Sequence, residues 1–330
     1  MKTKLGITLS VLLAFSTPVL AELHTVKING KEGVINETGK LVIPAEYDHV
    51  SNFSDGLAAV KINDQIGFIN KTGKLVISAK YGGAGGFSDG LAKVYINGKW
   101  GFINKSGELV IPAKYDLNTG DFSDGLANVV DDINGQFGFI NKTGEFVIPA
   151  KYDVAYVFSD GLARVKISGK YGFINKSGEL VIPAKYDNAR DFSDGLARVK
   201  INDKYGFINK SGKLVIPAKY DFWTEEFSDG LAAVKINGKY GFINKSGELV
   251  IPAKYDVASN FSDGLASVKI NDKNGFINKS GELVIPAKYD DARDFSDGLA
   301  SVKINDENVI INKSGKVIFN ITKEEKQQAK

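Results

Sequence analysis

The chain has 330 residues, with 42 Lys and Arg against 39 Asp and Glu, a formal net charge of +3 and 43% apolar residues. Charge this balanced and interspersed leaves no electrostatic footprint for nucleic acid or an anionic membrane, so no nucleic-acid partner is expected. With no Cys there is neither a disulfide framework nor a thiolate metal site, and stability has to come from packing.

The chain starts Met1-Lys2-Thr3-Lys4, runs through the apolar stretch Leu5 to Phe15 and reaches Pro18-Val19-Leu20-Ala21. This pattern predicts a signal peptide over residues 1–21, too short to span a bilayer and cut after Ala21. An exported protein follows, periplasmic or extracellular, with a net charge of +1 once Lys2 and Lys4 are gone and with no transmembrane segment in the mature chain.

From Val26 to Ile318 one unit is written repeatedly; Gly230 to Asp256, G-L-A-A-V-K-I-N-G-K-Y-G-F-I-N-K-S-G-E-L-V-I-P-A-K-Y-D, shows it in full. Its F-S-D-G-L-A glycine recurs at Gly56, Gly90, Gly125, Gly161, Gly195, Gly230, Gly264 and Gly298, every 34–36 residues. That period is shared with helical tetratricopeptide and ankyrin units, but Val, Ile, Phe and Tyr at period two, broken by Asn-Gly and Ser-Gly pairs, predict strands. Leu231–Ile236, Lys239–Asn244 and Glu248–Ile251 form a three-stranded meander. Asn237-Gly238 supplies a type I′ hairpin and Lys245-Ser246-Gly247 a three-residue turn. This register sets Ala232, Val234, Ile236, Gly241, Ile243, Leu249 and Ile251 on an aliphatic face, opposite a face with Tyr240 and Phe242. Gly241 reads as a glycine of close approach to the next layer. Pro252 ends the ladder, and Asp-Gly before the next unit reads as a tight turn rather than a calcium ligand. The Asn series from Asn36 to Asn312 reads as interior ladders or turn bonds.

The wording x-G-F-I-N-K-x-G-E-L-V-I-P-A-K-Y-D…F-S-D-G-L-A-x-V resembles the bacterial WG-repeat family, and Lys99-Trp100-Gly101-Phe102-Ile103-Asn104 carries the naming dipeptide. The resemblance implies an all-β repeat protein serving as an interaction module, with no established general catalytic activity. The naming position departs from the family pattern, holding Tyr171, Tyr205, Tyr240 and Phe137 in other units and Glu32, Ile66, Asn274 and Asn308 in the rest.

The expected architecture is all-β: nine units over residues 22–321, stacked as an open, twisted solenoid, with 322–330 as a polar tail. The alternative is a β-propeller. Propeller blades usually have four strands and about 40 residues. The first and last units also abandon the consensus, at Glu32 and Val34 and at Asn308, Val309 and Ile310, as caps do.

His24 and His49 are the chain's two histidines and read as exposed loop residues. With no Cys they leave little from which to build a metal or nucleophilic site, and no cofactor is expected. Function is expected instead in the loop after each Tyr-Asp, where the units differ. Trp223, Tyr156, Glu225, Glu226, Arg190 and Arg293 are its ligand-binding candidates. The Lys series from Lys61 to Lys303 reads as a solvated face. The leading expectation is a non-enzymatic exported scaffold binding a protein or glycan. A polysaccharide hydrolase using Glu225 and Asp121, or a self-assembling structural protein, are the alternatives.

Overall fold

The structure, a computed structural model, describes residues 23–220 and 225–328. The signal-peptide segment and Trp223 lie outside the described residues. The first unit comprises β1 (Leu23–Ile28), β2 (Lys31–Asn36) and β3 (Leu41–Tyr47). The second comprises β4 (His49–Val50), β5 (Leu57–Ile62), β6 (Gln65–Asn70) and β7 (Leu75–Tyr81).

Each hairpin follows from its turn chemistry. Asn237 and Gly238 have φ of 50° and 83°, the two positive values a type I′ turn requires. Between the next two strands the Asn244 side chain makes the turn. Its Oδ1 accepts the N–H groups of Ser246 (3.1 Å) and Glu248 (3.0 Å) and the Ser246 hydroxyl (2.7 Å). The Asn series therefore consists of turn bonds.

The third strand departs from expectation. It runs through the proline, as Leu249–Tyr255, and carries register shifts against its neighbour. Proline is tolerated because this is the edge strand, where no ladder N–H is needed. The shift places Ile251 opposite Phe242, so Ile251 joins the aromatic face, while Leu249 is 43% exposed. It also explains Gly241. A Cβ there would lie 2.6 Å from the carbonyl oxygen of Ile251 and 2.7 Å from the Ala253 nitrogen, so the close approach is to the bulged strand of its own sheet rather than to the next layer.

A fourth, two-residue strand precedes most units: β4, Gly83–Ala84, Asn188–Ala189, Val257–Ala258 and Asp291–Ala292. It pairs with the strand after the Asp-Gly turn, as Val50 does with Val60. The described residues thus form nine sheets of three or four antiparallel strands.

The open solenoid is overturned by how these sheets pack. One face of each sheet meets the opposite face of the next, as where Phe207, Ile216 and Tyr220 of one pack on Ala232, Val234 and Ile243 of its successor. Eight such cores join successive sheets. A ninth joins last to first: Val26, Ile28 and Ile35 pack on Leu299, Ile310 and Ile321. The protein is a closed nine-bladed β-propeller, in which blade 1 spans residues 23–47 and blade 9 residues 291–320.

The degenerate end units are mutual partners, not caps. Their seam is clasped by α1 (Ile321–Gln328), which occupies most of the stretch expected as a polar tail. Thr322 Oγ1 accepts the Asn308 N–H at 2.9 Å from blade 9, and Glu325 Oε1 accepts the Asn29 N–H at 3.1 Å from blade 1. Closure therefore needs no blade divided between the two ends. Among the described residues no helix is long and apolar enough to cross a membrane.

Candidate functional site

Nine near-copies of one blade can form a specific site only where they differ. The differences concentrate on blades 3 to 7, at two positions of the shared wording. The residue before G-F-I-N is aromatic there, at Trp100, Phe137, Tyr171, Tyr205 and Tyr240. The x of L-A-x-V is long and polar in blades 3 to 6, at Lys93, Asn128, Arg164 and Arg198, whereas Thr25, Ala59, Ala233, Ser267 and Ser301 hold it elsewhere.

Each of these polar side chains reaches into the following blade. Lys93 Nζ donates to the Thr119 carbonyl at 3.0 Å, and Asn128 Nδ2 to that of Ala155 at 3.1 Å. Arg164, only 6% exposed, donates from Nε to Asp191 Oδ1 at 3.0 Å and from Nη1 to the Ala189 carbonyl. Its guanidinium lies 3.6 Å from the ring centre of Tyr156 and 5.4 Å from that of Tyr171. Such stacking suits the planar, weakly hydrated guanidinium.

The next bridge is built alike. Arg198, 8% exposed, places Nη2 3.3 Å from Glu226 Oε1 and its guanidinium 4.9 Å from the Tyr205 ring centre. Arg190 approaches the same oxygen at 3.5 Å. The Nε of Arg198 is buried without a hydrogen-bond partner. Burial, and then the neighbouring Glu226 charge, push the Glu225 carboxyl above the ordinary carboxylate range, against the opposing pull of Arg198 and Arg190. Burial likewise raises the Tyr156 phenol, which Arg164 partly offsets.

A carboxyl whose folded-state pKa is raised carries more protons in the folded than in the unfolded chain between the two values. It therefore removes stability as pH rises through that window. Glu225→Gln is expected to be more stable than the parent at pH 7, with the difference vanishing below the ordinary carboxylate range. Urea unfolding at pH 3.5 and pH 7 checks this, and a constant difference would contradict it.

Of the candidates read from sequence, Tyr156, Arg190, Glu225 and Glu226 come together on blades 5 to 7. Arg293 does not: it lines a separate cavity of ≈ 800 Å³ at the seam. Asp121 lies against Lys93 at 3.6 Å, in blade 4, and Glu225 belongs to blade 7. The residues that sequence reading missed are Arg164 and Arg198, which assemble the cluster. Their signal was the unshared x of L-A-x-V, inside a strand rather than a loop. Both histidines line the seam cavity; His49 is exposed, as expected, whereas His24 lies half-buried in β1 rather than in a loop. His24 occupies the slot that holds Ala58 and Ala92 in the next two blades. Burial holds its imidazole below the usual range, with Asp297 opposing and Arg293 adding to the effect.

The family model described as "WG containing repeat" matches residues 33–65, 66–100, 100–132, 137–171, 171–205, 205–240, 240–273 and 275–307. No curated protein matches the chain. Among solved structures, one titled as the eukaryotic initiation factor is 11% identical with a TM-score of 0.64, covering 91% of this chain and 96% of that one. AztD from Citrobacter koseri is 13% identical with a TM-score of 0.44, covering 91% and 93% of the two chains. PorZ of Porphyromonas gingivalis is 10% identical with a TM-score of 0.37, covering 89% and 45%. At such identity the first likeness speaks to fold alone.

Proposed function

Because the chain belongs to the family of WG-containing repeats, we propose that it is a non-enzymatic, exported scaffold that binds a protein or glycan partner, a glycan by preference, on blades 5 to 7. The observation that carries this is the Arg164–Tyr156 stack and its continuation through Arg198 and Glu226. Three cations, Arg164, Arg190 and Arg198, stand among three carboxyl groups, Asp191, Glu225 and Glu226. A balanced cluster has no net pull on a polyanion. Aromatic faces interleaved with donors and acceptors instead suit a neutral, hydroxyl-rich chain that stacks and hydrogen-bonds at once. Asp191 and Glu226, held by arginine, are poor candidates for acid–base work, which supports the non-enzymatic reading.

The test uses the exported chain and a panel of neutral and acidic envelope polysaccharides. Tyr156→Ala combined with Arg190→Ala is expected to weaken binding to a neutral member at least about 30-fold, the scale of an interface hot spot, with unchanged circular dichroism. Unaltered binding by this variant would remove blades 5 to 7 from the reading. Retention of acidic members alone would overturn the neutral-glycan preference.

A further inference from the structure

The last strand of each blade lies at a sheet edge, with backbone groups that a foreign strand could pair with. Seven blades blunt that edge with proline, at Pro44, Pro112, Pro149, Pro183, Pro217, Pro252 and Pro286. Five place an acid at its head, at Glu108, Glu145, Glu179, Glu248 and Glu282.

β7 of blade 2 has neither device. It reads Leu75-Val76-Ile77-Ser78-Ala79-Lys80-Tyr81, with Lys74 before it. Blade 6 reads Lys213-Leu214-Val215-Ile216-Pro217-Ala218-Lys219-Tyr220, so the two edges differ at a single position. Their registers agree as well. Ile69, Phe68 and Ile66 face Leu75, Ile77 and Tyr81 as Ile208, Phe207 and Tyr205 face Leu214, Ile216 and Tyr220. Because blade 6 keeps this register with a proline, the ladder uses no N–H at that position. Ser78 therefore brings a surplus backbone donor to the edge, and it is exposed together with Leu75 and Val76. Blade 9 also lacks the proline, but there Asn320 ends the strand against α1 and accepts the Lys323 N–H at 2.9 Å.

Charge selects the occupant. Lys71, Lys74 and Lys80 border this edge with no acid among them, and none forms an ion pair among the described residues. Pairing of β7 with a second copy of itself about Ile77 would set Lys74 against Lys80 of the other copy, twice over, and like charges oppose that. We propose that the β7 edge is a docking site for an extended, acidic segment of a partner protein, which adds to blade 2 as a further strand. The segment's backbone meets the Ser78 N–H, its apolar side chains lie beside Leu75 and Val76, and its carboxylates meet Lys74 and Lys80. This surface is separate from blades 5 to 7 and stands whether or not a glycan binds there.

The test is titration of the whole protein with a short, end-blocked, dye-labelled peptide of alternating Glu and Val, read by fluorescence anisotropy at low salt. Ser78→Pro gives blade 2 the edge that blade 6 already folds with. It should weaken binding at least about ten-fold, the scale of one lost hydrogen bond with a ring in its place. Ser78→Ala keeps the N–H and should bind like the parent. Pro217→Ser should raise the stoichiometry from one peptide to two. Lys74→Glu, which installs the acid of five other blades, should weaken binding about three- to ten-fold at low salt and less at high salt. Equal binding by the parent and Ser78→Pro overturns the proposal, as does a loss in Ser78→Ala as large as in Ser78→Pro. Equal affinity for a peptide with Lys in place of Glu also overturns it. So does a concentration-dependent dimer that Ser78→Pro disperses, since a second copy would then hold the edge.

Discussion

Phe207→Ala is expected to lower the unfolding free energy by about 3–5 kcal/mol, the largest single-residue loss predicted for this protein. Phe207 is fully buried between two blades, with its ring edge-on to Phe227 at 4.8 Å. Leu196, Ile216 and Tyr220 surround it from its own blade, and Ala232, Val234 and Ile243 from the next. A cavity costs less when its walls can close on it. Here each wall is a sheet whose far face is already packed on another blade, so collapse would open a gap elsewhere in the ring. The loss should therefore fall toward the upper end of the range. Denaturant unfolding measures it, and a change under about 1 kcal/mol would mean that the blades slide freely.

Arg164→Ala is expected to cost about 2–3 kcal/mol, less than a wholly buried pair would, because the Asp191 side chain it abandons is 38% exposed and can be hydrated. The Ala189 carbonyl loses its donor and Tyr156 loses the cation over its ring. Arg164→Lys should not restore stability, since an ammonium cannot serve Asp191, the carbonyl and the ring face in one plane. A second readout is specific to the stack. Arg164 holds the Tyr156 phenol down against the effect of burial, so its removal should move that phenol's titration to higher pH. Ultraviolet titration of the variant against Tyr156→Phe checks this, and an unchanged phenol would show that the stack has no electrostatic part.

The local structure was legible in the sequence because each turn is chemically explicit. Asn237-Gly238 and Lys245-Ser246-Gly247 determine two hairpins with little help from the rest of the molecule. Closure was not legible. Most blades carry a short strand before the Asp-Gly turn, and a pair such as Gly83–Ala84 or Asn188–Ala189 has neither length nor alternation to announce it. Without that strand the unit looked too small for a blade. The end units misled for a related reason. Departure from consensus at Ile310 accompanies a cap and equally a seam, and only its packing on Val26 and Ile28 distinguishes them. The site was half visible. Tyr156, Arg190, Glu225 and Glu226 stand in the loop where units differ, whereas Arg164 and Arg198 sit in a strand whose flanking residues repeat so faithfully that the variable one was passed over.

The nine cores are unequal in one further respect. Eight join stretches of chain one repeat apart, whereas the seam joins residues as distant as Asn29 and Glu325, 296 positions apart. Loop-closure entropy rises only slowly with length, but non-local contacts delay folding. A chain emerging from its N-terminus can add blade to blade by near-neighbour contacts, growing as an arc that behaves like an open repeat array. It becomes a ring only when the last blade and its helix meet the first. Until then the seam faces of the first and last blades stand bare, so the window of exposure lasts as long as synthesis itself, and a truncation that removes Leu299 and Ile310 takes away the last blade's strand side of the seam core.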